Sequence, residues 1–202
     1  MKIELGFFIL SYFIGSIPFG LIVCRLKAGI DIRKHGSGSI GATNVLRTLG
    51  KKWAALVFLC DVAKGFLVVL ATLHLTDSVL WTAIMPVPVI LGHNYPVFAG
   101  FKGGKGVATA LGAYLAMMPI PAALAFGTWI GVVALWRYVS VIGCLSASLY
   151  GYLFGYPNEI TLVCFLGAFF IMYRHKDNIR RLLSRTEPRI GQKINVPPSP
   201  PE

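Results

Sequence analysis

Apolar residues dominate two long stretches, Leu5–Leu26 and Trp53–Leu75. Each is long enough to cross a hydrocarbon layer of ~30 Å as a helix, which takes about 20 residues. Five shorter apolar runs follow: Val79–Leu91, Val107–Met118, Ala122–Trp136, Val139–Phe154 and Ile160–Tyr173. They are divided at Met118-Pro119-Ile120-Pro121, at Arg137 and at Gly155-Tyr156-Pro157-Asn158-Glu159. Pro removes an amide donor and Gly permits tight reversal, so these breaks read as turns between antiparallel helices. The pattern predicts an all-α integral membrane protein of about seven short transmembrane helices, or five if two of the short runs are re-entrant. Residues 1–187 form one polytopic membrane domain, and 188–202 form a Pro-rich tail that reads as disordered.

Composition agrees with this pattern. Of 202 residues, 55% are hydrophobic and 13% charged, against roughly a quarter charged in an average soluble domain. This excludes a disordered chain, a collagen, a coiled coil and a disulfide-stapled module. The four cysteines lie within or at the edge of apolar runs, without CxxC pairing or a His at metal spacing, and read as buried thiols. Gly15-Ser16-Ile17-Pro18 offers no small-x-small cleavage site, so the first stretch reads as an uncleaved span.

The formal charge of +11 changes the picture further. On a soluble chain such an excess would point to nucleic acid; here it tests topology. With seven spans, 17 of the 19 Lys and Arg fall on one side, Lys2 on the other, and Lys64 inside a span. The opposite loops hold His74, Asp77 and Glu159 and no cation. The positive-inside rule then places the N-terminus outside and the C-terminus in the cytosol.

Three cytosolic segments are too polar and too glycine-rich to be plain connectors. In the first, Gly36–Arg47, a helix starting near Gly41 would set Thr43, Asn44 and Arg47 on one face. Exposed amides with an Arg one turn on make an anion site, and Ser37 and Gly41 join the candidates. The second runs from Gly92 to Thr109 and contains Lys102-Gly103-Gly104-Lys105-Gly106. Glycines admit a phosphate close to backbone, and lysines supply charge. A nucleotide P-loop is excluded, because Ala99 and Gly106 stand where Gly and Ser/Thr are needed. His93 in this segment is a candidate base. The third segment is Arg174-His175-Lys176-Asp177-Asn178-Ile179-Arg180-Arg181-Leu182, in which Ile179, Leu182 and Leu183 at i, i+3, i+4 suggest a short amphipathic helix on the interface. Such a basic run after a last span is most often an anchor for anionic lipid. Arg137 and Ser140 form a smaller fourth patch.

Asp61 and Lys64 lie at i, i+3 inside the second span and read as a structural pair facing the bundle interior. No nucleophilic triad, metal cluster or carboxylate dyad is visible, so no metal and no cofactor are expected. Lys, Arg, amides, hydroxyls and a few His are groups that bind phosphate and stabilise an oxyanion.

GSGSIGATNVLR, GHNYPVFAGFKGGKGVAT and RHKDNIRRL, in that order, resemble the three signature segments of the bacterial acyl-phosphate:glycerol-3-phosphate acyltransferase family. SIPFG in the first span and DVAKG in the second also fit, while Ser39 stands where the family pattern has Asn. The His-x4-Asp motif of commoner glycerolipid acyltransferases is missing at His35, His74, His93 and His175. The resemblance implies an inner-membrane enzyme with its active site on the cytosolic side. It would move a fatty acyl group from acyl phosphate to the 1-hydroxyl of glycerol 3-phosphate, giving lysophosphatidate and phosphate. Its partners would be these two substrates, membrane lipid and the soluble enzyme that makes acyl phosphate, and not nucleic acid. A mixed anhydride needs little covalent help, so direct transfer without an acyl-enzyme follows. On this reading Gly103, Gly104 and Gly106 with Thr43 hold the acyl phosphate. Arg47, Lys105, Ser37, Ser140 and Asn178 grip glycerol phosphate, with Gly41, Asn44, Lys102, Arg137 and His175 nearby. His93 or a substrate phosphate takes the hydroxyl proton. The alternative class is a transporter or flippase for an organic phosphate; against it, no span carries a polar stripe across the membrane.

Overall fold

The computed structural model describes residues 2–136 and 142–186. Among them the regular elements are all helical: α1 (Lys2–Gly15), α2 (Phe19–Ala28), α3 (Ala42–Thr48), α4 (Lys51–Leu75), α5 (Val79–Ile84), α6 (Pro86–Asn94), α7 (Val107–Met117), α8 (Pro119–Trp136), α9 (Ile142–Leu153), α10 (Asn158–Arg174) and α11 (Lys176–Leu183). Short 3₁₀ turns lie at Ile32–Lys34 and Val97–Ala99.

The first apolar stretch is not one rod. Pro18 has no amide to give, and the chain breaks between Gly15 and Phe19 before α2 resumes. The break leaves the Ile17 carbonyl for the Lys64 ammonium of α4, 3.3 Å away. The third apolar run likewise divides at Met85–Pro86 into α5 and α6. In contrast, Pro119 and Pro121 do not break α8; they sit in its first turn, where a missing amide is harmless. At 1.5 Å per residue, α4 reaches ~37 Å, α8 and α10 ~26 Å, and α7 and α9 only ~16–18 Å. Arg137, Ser140 and the tail 188–202 lie outside the described residues.

On α8, α9 and α10 large apolar groups face outward, and many of the side chains packed between helices are small. Leu124, Leu149, Leu162, Phe165, Leu166 and Phe169 are exposed on α8, α9 and α10, whereas Ala110, Ala113, Ala122, Ala125, Ala147 and Ala168 are buried between helices. That arrangement suits an exterior facing hydrocarbon, where close backbone packing supplies association. Two glycine pairs carry it furthest. A Cβ on Gly15 would fall 2.2 Å from the Val89 carbonyl and one on Gly92 2.2 Å from that of Tyr12, so α1 and α6 cross on bare backbone. Gly65 and Gly112 do the same for α4 and α7, against the carbonyls of Thr109 and Val62. These crossings bring the middle of α4 beneath the end of α6 and the start of α7.

The long link from α2 to α4 has a small core of its own. Ile30, Ile32, Ile40 and Val45 are buried with Leu21, Cys24, Val57 and Ala99. The first Gly/Ser segment is therefore an ordered structure packed on α2 and α4.

Candidate active site

Three loop ends converge on one end of the bundle. The first is fastened by Asn44, which is 1% exposed. Its side-chain amide donates to the carbonyls of Ile32, His35 and Ser39, at 3.3, 2.9 and 2.9 Å, and its Oδ1 accepts from the Ser37 amide at 3.0 Å. With its polar atoms occupied in this way, Asn44 shapes the loop. The loop is tied to the second segment by Arg33, which donates to the Ala99 carbonyl at 2.8 Å and to both oxygens of Asp31. The hydrogen bonds and charge of Arg33 hold the Asp31 carboxyl well below the usual carboxylate range.

In the second segment the glycines make close packing possible. A Cβ on Gly104 would lie 2.0 Å from His93 Nε2, and one on Gly103 2.3 Å from the His93 carbonyl. Gly106 has φ +82° and starts α7, a conformation that favours glycine. The Gly104 amide, expected to face phosphate, donates instead to the His93 carbonyl at 3.0 Å, because the loop folds back on the end of α6. Arg174 then staples this loop to α10: it donates to the Gly104 carbonyl at 2.9 Å and lies 4.7 Å from the centre of the Tyr95 ring.

The third segment bends at His175. Its Nδ1 lies 2.8 Å from the Ile171 carbonyl, so that nitrogen carries the proton and donates. The bend starts α11 and turns Asn178 toward Lys105, whose ammonium donates to Asn178 Oδ1.

Between the three segments lies a cavity of about 110 Å³. Ser37, Gly41, Thr43, Asn44, Arg47, His93, Lys105, Gly106, His175 and Asn178 all line it, as do Ser39 and Asp61. Arg47 and His175 are only 6% and 3% exposed. A neighbouring polar pocket, of about 220 Å³, shares Ser37, Ser39 and Lys105 and adds Gly103, Gly104, Tyr95 and Arg174. Lys102 is exposed and lines neither. The inner wall of the cavity is Phe58, Val107 and Trp129, and these same residues open an apolar cleft lined further by Ala110, Leu111, Tyr114, Ala122, Ala125 and Phe126. A chamber carrying cationic and polar side chains thus adjoins an apolar cleft between α4, α7 and α8, with Phe58, Val107 and Trp129 common to both.

His93 sits against two charged side chains of α4. Lys64 Nζ lies 2.9 Å from its Nδ1, and Asp61 Oδ1 lies 2.8 Å from Lys64 and 3.4 Å from the ring. Both polar neighbours thus meet the ring at Nδ1, while Nε2 packs on Gly104. Asp61 and Lys64, each about 3% exposed, compensate one another and His93 within the bundle. Sequence spacing showed the α4 pair but not its meeting with His93, which depends on the glycine crossings. It also missed Arg174 as a staple and Trp129 and Phe58 as the wall; nothing in the local pattern separates these two from other aromatics in apolar runs. Among the described residues, no three His, Cys, Asp or Glu side chains gather as a metal site.

The arrangement is a membrane-helix bundle with cations and an apolar cleft side by side at one end. Residues 5–185 match the family model described as glycerol-3-phosphate acyltransferase, and the chain belongs to that family. It is an acyltransferase built of transmembrane helices. The glycerol-3-phosphate acyltransferase of Aquifex aeolicus (strain VF5) is 44% identical over 185 residues, covering 90% of this chain and 96% of the relative. That of Halalkalibacterium halodurans is 41% identical over 201 residues, covering 94% and 98%. A crystal structure of PlsY, an integral membrane glycerol 3-phosphate acyltransferase in its glycerol 3-phosphate form, superposes with a TM-score of 0.89 at 44% identity, covering 93% of this chain and 96% of the other. Its lysophosphatidic acid form gives 0.85 at 42% identity, covering 94% and 96%.

Proposed function

We propose that this enzyme transfers a fatty acyl group directly from acyl phosphate to the 1-hydroxyl of sn-glycerol 3-phosphate, giving lysophosphatidate and inorganic phosphate. The observation that carries this reading is the adjacency of the two cavities: Arg47, Lys105, His175 and Asn178 line a chamber that shares Phe58, Val107 and Trp129 with an apolar cleft. Phosphate groups meet the cations, and the acyl chain lies along the small residues of α7 and α8. Ser37, Ser39, Lys105 and Gly103 also line the adjoining polar pocket, which gives a second phosphorylated substrate a place beside the first.

In the reaction the 1-hydroxyl oxygen attacks the acyl carbonyl carbon. A carbon–oxygen ester bond forms and the anhydride bond to phosphate breaks. Arg47 and Lys105 grip the phosphate of glycerol 3-phosphate and neutralise charge that develops beside it, and positioning of the two substrates supplies much of the barrier reduction. With His93 Nδ1 packed 2.9 Å from Lys64 Nζ, the hydroxyl proton goes in this reading to a phosphate oxygen of a substrate, whose second pKa of about 6 suits a base near neutrality.

The same reading places the site at the cytosolic face of the inner membrane, with seven spans, the N-terminus outside and the C-terminus inside. It is supported by the loops that meet at the site, which carry Arg33, Lys34, Arg47, Lys102, Lys105, Arg174 and Lys176, while the opposite turns hold Asp77 and Glu159. The test is turnover by the detergent-solubilised enzyme with acyl phosphate and glycerol 3-phosphate. Equimolar lysophosphatidate and phosphate, with no label retained on protein from a radiolabelled acyl donor, are expected. A trapped acyl-enzyme, or turnover with acyl thioester and none with acyl phosphate, contradicts it.

A further inference from the structure

Helix α11 joins two surfaces that have no need of each other unless they work together. On one edge, Asn178 reaches the chamber and accepts from Lys105. On another, Ile179, Leu182 and Leu183 stand 38%, 46% and 82% exposed. In a helix of eight residues these three fall within one arc, and Lys176 and Arg180 border it. Asp177 is the lone carboxylate of that helix, against Lys176, Arg180 and Arg181, with Arg185 one turn beyond. The helix follows directly on α10, an apolar rod that ends at Arg174.

We infer that α11 docks on an anionic lipid surface and that this docking holds Asn178 against Lys105, so that the enzyme turns over fastest on a membrane containing acidic lipid. Apolar residues bordered by cations match the boundary between acyl chains and acidic headgroups, and each Lys or Arg near such a surface adds attraction. A second copy of this chain, carrying the same positive charge, would be repelled from that border. Because Asn178 sits on the same two helical turns as the apolar residues, a helix released from the surface loses its hold on the site residue as well. The coupling to turnover rests on the acyl-transfer reading above; the docking does not.

The two are separable in nanodiscs made of phosphatidylcholine alone or of phosphatidylcholine with phosphatidylglycerol. Hydrogen exchange of the amides of Lys176–Leu183 reports docking without any turnover. At least tenfold slower exchange is expected in the acidic discs, abolished by Arg180→Gln with Arg185→Gln and by raising the salt. Equal exchange in both discs, whether fast or slow, overturns the docking; equal and slow exchange would assign the apolar face to another part of the protein or to a second copy. At saturating substrates, where repulsion of anionic substrate from an acidic surface no longer matters, kcat is expected to rise at least threefold in the acidic discs. An unchanged kcat with clear protection overturns the coupling. Absence of turnover in both discs with lipid-dependent protection rejects the acyl-transfer reading and keeps the docking.

Discussion

Two clusters of charged and polar side chains meet in this bundle and have different partners. Asp61, Lys64 and His93 form a closed set in which an ammonium is matched by a carboxylate at 2.8 Å and an imidazole at 2.9 Å. Arg47, Lys105, His175 and Asn178 line a cavity, and the carboxylate on that wall, Asp61, is already held by Lys64. A charge inside a membrane bundle is tolerated either because the protein neutralises it or because a ligand does. The first cluster compensates its own charge, and on the proposed function the second meets the phosphates of the substrates. Lysine 64 and lysine 105 look alike in a list of cations; their partners assign them different work.

Breaking the closed cluster should have the largest effect. Asp61→Leu leaves Lys64 and His93 uncompensated, and loss of one partner of a buried pair costs about 3–5 kcal/mol. A large fall in thermal midpoint in detergent is expected, with part of it recovered by adding Lys64→Met. An unchanged midpoint would mean that the pair does not hold the fold.

The open cluster responds in activity. Arg47→Ala is expected to lower kcat/KM by roughly 10²–10³, the effect of removing one donor to developing charge, with less loss of midpoint than Asp61→Leu. Retention within twofold would remove Arg47 from the phosphate site. Between the clusters lies Gly104, whose replacement by Ala puts a Cβ 2.0 Å from His93 Nε2. Overpacking of this kind costs about 1–3 kcal/mol. Because the loop carries Lys105, KM for glycerol 3-phosphate should rise as the midpoint falls; a wild-type KM would show that the two clusters are not packed on one another.

The smallest effect is expected at Asp31, which links the first loop to the second through Arg33. The pair is partly exposed, at 18% and 24%, so Asp31→Asn should cost about 1 kcal/mol or less. Its folded pKa is lowered by hydrogen bonding from Arg33, so its contribution is full above the unfolded value of about 3.9 and fades as pH falls through the folded value. Midpoints of wild type and Asp31→Asn measured from pH 6 downward should therefore converge in acid. A gap that widens there contradicts the assignment.

Much of this contrast can be read from residue patterns, and the part that cannot has a physical reason. The three site segments stand out because glycines and cations next to apolar runs have few other uses, and Arg47, Lys105, His175 and Asn178 meet as those segments imply. Lys102 shares the same local pattern and points outward, since adjacent residues on a loop face different ways. The break at Pro18 was masked by apolar neighbours that continue on both sides. The meeting of Lys64 with His93, 29 positions apart, and the staple from Arg174 to Gly104, 70 apart, depend on which helices cross. Small residues set those crossings, and periodicity along one helix does not name the partner. The residue type of Asn44 suits a ligand, and it lines the cavity; only the positions of three carbonyls around it show that it also fastens the loop.

The most direct test compares the two lysines. Lys105→Ala should lower kcat/KM for glycerol 3-phosphate at least a hundredfold while leaving the thermal midpoint close to wild type. A Lys105→Ala enzyme with kcat/KM within twofold of wild type, or one that loses as much midpoint as Asp61→Leu, would contradict the division of this bundle into a charge cluster for the fold and a charge cluster for the substrate.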